Sequence, residues 1–239
     1  MNIAMIFAGG TGRRMQSTTV PKQFLELYNK PIIIYTLEQF ENNDNIDGIV
    51  VSCLESWIPK LKKMIDRFHI TKVKDVVPGG ANGQESIYNG LKKVSELYPQ
   101  EDTVVLIHDG VRPLIDQATI DGNIESVKAH GNAITITPAI ETIIQEDENH
   151  LVNRIIDRKE CQLARAPQSF YLKDIIAMHE KAIDENIHDF IDSATMMKHY
   201  GYDLYTVIGP VNNIKITTPI DFYIFKALLD AENSMQAMG

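Results

Sequence analysis

A doubly wound α/β sheet is the fold this sequence predicts. Short apolar runs without polar alternation recur along the chain, and stretches with helical spacing separate them. The first run also opens straight into a glycine-rich loop. Runs of this kind suit parallel strands covered on both faces. They are "IAMIFA" (3–8), "GIVVSC" (48–53), "DVVP" (75–78), "TVVLIHD" (103–109) and "AITITPA" (133–139). Between them, "PIIIYTLEQFEN" has Pro31 in a first-turn position. "SIYNGLKKVSEL" puts Ile87, Leu91, Val94 and Leu97 on one helical face. Strand–helix alternation implies a mostly parallel sheet with right-handed crossovers.

The pattern changes after about residue 138. Two β-rich runs flank the polar turn "EDENH" and predict a projecting hairpin. Helical spacing returns at 172–185 and 189–200. "DLYTVIG" and "NIKI" then read as short strands, and "PIDFYIFKALLDAE" as a closing helix. Repeats and low-complexity linkers are absent. The expectation is one domain over 1–239, with an arm at about 139–163.

Bulk properties narrow the function. A net charge of −9 argues against a nonspecific grip on nucleic acid or an anionic membrane. No apolar run reaches the length of a membrane span, and the first residues lack a secretory leader pattern. Cys53 and Cys161 make no metal-binding spacing, and Cys53 ends an apolar run as a small hydrophobe would. A cytoplasmic protein is expected.

The loop "AGGTGRRMQSTTVPKQF" (8–24) admits three readings. A dinucleotide fingerprint needs a third glycine where Met15 stands, and a P-loop needs a different spacing. The third reading is a loop for a nucleoside triphosphate. Gly9, Gly10 and Gly12 let backbone N–H groups approach an anion, while Arg14 and Lys22 grip phosphates. Pro21 fixes the chain just before Lys22. A purely structural turn would need none of these cations.

Seven segments, in order, resemble the cytidylyltransferases that activate methylerythritol phosphate and ribitol phosphate. They are "AGGTGRRM…PKQF", "PGGANGQESIYNGL" (78–91), "IHDGVRP" (107–113), "AIETI" (139–143), "DR…APQSF" (157–170), "DSATMM" (192–197) and "NIKITTPID" (213–221). The resemblance spans essentially the whole chain. It implies a Rossmann-like, nucleotide-diphospho-sugar transferase-like sheet with a projecting β-arm. The implied reaction joins CTP and an alditol phosphate into a CDP-alditol and pyrophosphate. "AIETI", the opening loop and Trp57 lean towards the ribitol branch, and so towards D-ribitol 5-phosphate. CDP-ribitol would feed teichoic-acid or capsule synthesis. Alternatives are the methylerythritol 4-phosphate enzyme of isoprenoid synthesis and a nucleotide-binding homologue without turnover.

By the same resemblance, Arg14, Lys22 and Lys215 are the catalytic cations. Ala8, Gly9, Gly10, Thr11, Gly12, Gly79, Gly80 and Ser86 hold the nucleotide. Asp109, Arg112, Thr142 and Arg158 bind the second substrate, the last two from an arm shared across a homodimer. Mg²⁺ would ride mainly on the CTP phosphates, with Asp109 as a protein contact. Two departures stand out. Gly83 replaces a usual arginine, and Ala166 replaces a threonine near the substrate phosphate; Arg165 precedes it. On the residues alone, His108 reads as a satisfied core histidine and Met196 and Met197 as core, while a helix cap is the alternative to nucleotide binding for Ser86.

Overall fold

A computed structural model of the chain describes residues 1–10 and 20–238. Thr11, Gly12 and Arg14 lie outside them. Five strands occupy the predicted apolar runs: β1 (Asn2–Ala8), β4 (Gly48–Cys53), β5 (Val73–Pro78), β6 (Val104–Asp109) and β7 (Asn132–Pro138). The short β2 (Glu26–Leu27) and β3 (Lys30–Pro31) form a separate pair. Together with β10 (Gln162–Tyr171) and β11 (Thr206–Ile208), the five build a seven-stranded sheet of order β11-β7-β10-β6-β1-β4-β5. Only β10 runs antiparallel to its neighbours, β6 and β7.

The absence of alternation in the strand sequences has a direct structural cause. Along β1, Ala4, Ile6 and Ala8 join one core and Ile3 and Met5 join the other. The first core is completed by α1 (Ile32–Glu41), α2 (Ile58–Arg67) and α4 (Gln117–His130). The opposite face is covered by α3 (Gly83–Leu97), α5 (Leu172–Asp184) and α6 (Ser193–His199). A strand covered on both faces needs apolar residues at every position. The closing helix α7 (Pro219–Met238) packs Phe225 against Ile32, Val111 and Ile216 in a smaller cluster.

Several expectations need correction. "NIKI" is not a strand: it is an extended loop whose Ile216 N–H donates to the Val111 carbonyl at 2.9 Å, without a ladder partner. The second C-terminal helix begins at Ser193, because Asp192 caps it by accepting from the Thr195 N–H. Asn82, rather than Ser86, caps α3; its Oδ1 accepts from the Glu85 N–H, and Glu85 accepts in return from the Ala81 N–H. Pro31 lies one residue ahead of α1. The hairpin around "EDENH" is β8 (Ile143–Glu146) paired with β9 (Val152–Ile156). Among the described residues, no helix is long and apolar enough to cross a membrane.

Candidate functional site

The carboxyl ends of β1, β4, β5 and β6 face one crevice, the usual ligand position in an open α/β sheet. At the end of β1, the buried Gln23 donates through Nε2 to the Ala8 carbonyl at 2.7 Å and the Gly10 carbonyl at 3.1 Å. Phe24 stacks on Trp57, ring centroids 4.5 Å apart, and seats the short turn Lys22–Phe24. Pro21 precedes that turn with an extended backbone. Gln23 and Phe24 thus anchor the segment from which Lys22 reaches past Gly10.

At the end of β5, Gly79 lies against Gly9 and Ser86. Ser86 is buried. Its Oγ accepts from the Gly80 N–H at 2.8 Å and donates to the Asn82 carbonyl at 2.7 Å. A Cβ on Gly80 would collide with the Glu85 side chain. Glycine is therefore required for this loop to fold down onto the start of α3.

The end of β6 carries the densest charge. Asp109 Oδ2 accepts from Arg112 Nε at 2.8 Å, and Oδ1 accepts from Lys215 Nζ at 2.6 Å. Burial alone would raise the Asp109 pKa, but Lys215 and Arg112 outweigh it and hold the carboxyl well below the usual range. Arg112 is buried and also donates through Nη1 to the Asn213 carbonyl at 2.9 Å. Asn213 donates through Nδ2 to the Ala166 carbonyl at 3.1 Å. Asn213 therefore joins the 213–216 loop, the β6 loop and β10. His108 is buried, with Nε2 donating to the Arg112 carbonyl at 3.0 Å. Burial lowers its pKa to about 4, so it is a neutral core histidine as the sequence implies, but it is only half satisfied, because Nδ1 has no partner among the described residues.

The reversed direction of β10 matters here. Gln168 pairs with Ile107 near the end of β6, so residues 164–166 lie beside the crevice. The ladder to β7 shifts register between Ala164 and Gln168. Gln168 donates to Asp192 Oδ2 at 2.9 Å and accepts from the Ala194 N–H, which fixes α6 at the rim. The resulting cleft of about 220 Å³ is lined by Asp109, Arg112, Arg165, Ala166 and Lys215, among others.

Of the residues singled out in the sequence, Asp109, Arg112 and Lys215 meet directly. Ala8, Gly9, Gly10, Lys22, Gly79, Gly80 and Ser86 line the adjoining strand ends. Thr142 and Arg158 lie apart, on the exposed arm, where Arg158 donates to the Ile140 carbonyl at 3.2 Å. The tethers Gln23, Asn213 and Gln168 were not singled out. Each is a polar residue buried far from its partner in sequence, and single-sequence spacing carries no signal for that.

The family model described as IspD, 2-C-methyl-D-erythritol 4-phosphate cytidylyltransferase, matches residues 2–231. The chain is 56% identical over 239 residues to a ribitol-5-phosphate cytidylyltransferase of Vibrio parahaemolyticus, covering 100% of both chains. It is 37% identical over 229 residues to a 2-C-methyl-D-erythritol 4-phosphate cytidylyltransferase of Clostridium botulinum, covering 96% of this chain and 97% of that one. Among solved structures, the 4-diphosphocytidyl-2C-methyl-D-erythritol synthase of Anaerococcus prevotii is similar with a TM-score of 0.83, at 26% identity and 96% coverage of each chain.

Proposed function

This chain belongs to the 2-C-methyl-D-erythritol 4-phosphate cytidylyltransferase family, and on that premise we propose that it transfers the cytidylyl group of CTP to D-ribitol 5-phosphate. The products are CDP-ribitol and pyrophosphate. The observation that carries the choice of alcohol is the higher identity, over the full length of both chains, to a ribitol-phosphate enzyme than to a methylerythritol-phosphate enzyme.

In this reading a phosphate oxygen of the alditol phosphate attacks the α-phosphorus of CTP in line. The bond from that phosphorus to the oxygen bridging to the β-phosphate breaks, and pyrophosphate leaves with the electron pair. The protein's contribution is positioning and charge neutralisation. Lys22 and Arg14 neutralise the triphosphate, and Gly9, Gly10 and Gly12 bring backbone donors close to it. Thr11 belongs to the same loop, and Gly79, Gly80 and Ser86 hold the nucleoside side. Lys215 exchanges its bond to Asp109 for one to the reacting phosphates. Arg112 keeps Asp109 in place for the polyol hydroxyls. No side chain need act as base, because a phosphate monoester is already ionised near neutral pH.

Mg²⁺ belongs with the CTP phosphates as part of the substrate. Among the described residues no group of three or more His, Cys, Asp or Glu is placed to hold a metal. Both Asp109 oxygens accept from cations in the folded chain, so a metal contact there would have to displace Lys215 as the polyol hydroxyls do.

The arm supports a homodimer. Ile144 and Ile155 face each other across its two strands, and both are exposed, as are Leu151 and Val152. A lone two-stranded hairpin is marginal in water, and a second copy would cover these side chains and bring Thr142 and Arg158 to the neighbouring cleft. The test of the reaction is a panel of CTP with ribitol, methylerythritol and other pentitol phosphates, followed by pyrophosphate release. Ribitol 5-phosphate should give the highest kcat/KM. Turnover with methylerythritol phosphate alone would transfer the assignment to that substrate, and silence with all of them would refute the reaction.

A further inference from the structure

Among the described residues, Arg165 is a cation of the cleft with no carboxylate partner. Arg112 and Lys215 share Asp109. Asp192, the other carboxylate at the cleft, is committed to Gln168 and to the Thr195 backbone and hydroxyl. Arg165 is half-buried between these groups and is held through one bond, from Nε to Thr137 Oγ1 at 3.2 Å. Its two terminal nitrogens have no hydrogen-bond partner among the described residues. Burial, and then the nearby Arg112 charge, pull its pKa down, so the folded chain brings two guanidiniums together at a cost. A half-buried charge without a counter-ion calls for an anion.

Position decides which anion. Arg165 sits in the register shift of β10, beside the end of β6. Gly9, Gly10 and Lys22 do not line this cleft, whereas Lys215 does. Among the described residues, the cleft is thus lined apart from Gly9, Gly10 and Lys22. We propose that Arg165 binds the phosphate of the acceptor alditol phosphate, through both terminal nitrogens, with Lys215 as the second cation. A planar guanidinium fork fits two oxygens of a phosphate monoester. The neighbouring Ala166 contributes no donor there, so the arginine carries the recognition that a side-chain hydroxyl would otherwise share. A cation on the attacking phosphate binds it before reaction, so its loss falls mainly on substrate affinity.

This assignment rests on the reading of an alditol phosphate as second substrate. Steady-state kinetics of Arg165→Ala and Arg165→Gln test it, the glutamine keeping a side chain long enough to reach Thr137. The KM for ribitol 5-phosphate should rise about 30-fold, as for loss of a charge-assisted bond, with the KM for CTP changed by less than about twofold. Arg165→Lys should recover part of the loss. An unchanged KM for ribitol 5-phosphate, or a rise in the KM for CTP instead, would overturn the proposal. If the wild type makes no CDP-ribitol, the functional reading fails by itself. Phosphorus NMR titration with inorganic phosphate then decides on Arg165: weaker binding by Arg165→Gln than by wild type sustains the assignment, and equal binding overturns it.

Discussion

Asp109 and Lys215 share one hydrogen bond but differ in what their removal does. Arg112, the other partner of Asp109, has a side chain only 9% exposed, whereas the Lys215 side chain is 40% exposed. Asp109→Ala leaves Arg112 buried and unpaired, and should cost about 3 kcal/mol in urea unfolding. Lys215→Ala should cost less than about 1 kcal/mol because solvent already screens it. Its turnover should nevertheless fall about 100-fold in a pyrophosphate-release assay, as expected for one preorganised cation. Lys22→Ala should behave alike: little change in the unfolding midpoint, and about a 100-fold loss of kcat. A Lys22→Ala enzyme with near-normal turnover would remove that lysine from the mechanism. At this scale the sequence is readable where chemistry requires a residue type: cations after a glycine loop, an acid at a strand end. It is silent on Asn213, whose bonds to Arg112 and Ala166 bridge 101 and 47 positions of chain.

The elements divide in the same manner. Strands β1, β4, β5, β6 and β7 are legible because two-sided burial leaves them uniformly apolar. Strand β10 escapes for a physical reason. Its sequence "QLARAPQSFY" carries an arginine and a proline near its centre, a pattern that argues against a central strand. The register shift between Ala164 and Gln168 accommodates both. "NIKI" misleads in the opposite direction: β-branched residues suggest a strand, yet the segment is spent on presenting Lys215 and burying Ile216. The arm offers a test of its own. Ile155→Asp puts a charge on its exposed apolar surface without touching the core. On the proposed homodimer, sedimentation at low micromolar concentration should show dimer for the wild type and monomer for the variant, with the thermal midpoint of the sheet shifted by less than about 1 kcal/mol equivalent. A wild type that sediments as a monomer would refute the proposed dimer, and an unaltered Ile155→Asp dimer would place the interface elsewhere.

For the whole molecule, two buried histidines should weaken the fold in acid. Burial lowers both His108 and His179 to about 4, and His179 packs its ring against Tyr88 with no hydrogen-bond partner on either nitrogen among the described residues. The unfolded chain protonates each near pH 6.5 while the folded chain does not, so stability falls as pH drops from about 6.5 to about 4. The loss is on the order of 3 kcal/mol for each. Below that range Asp109, whose folded pKa is depressed, adds its own loss as the carboxylate is protonated. Urea midpoints measured across this window should fall steadily, and His179→Phe should flatten the slope by about one proton. Overall shape was the most legible level of all, since strand–helix alternation leaves few alternatives. What joins the parts was not legible. A single stretch of polypeptide leaves the arm, pairs Gln162 with Pro138, passes Arg165 at the cleft and reaches Gln168 in mid-sheet. In the proposed dimer, a load on the arm from the second copy would pass along β10 to the pocket wall. Occupancy of the pocket and grip between the copies would then become one mechanical quantity, and turnover per chain should depend on protein concentration near the point of dissociation.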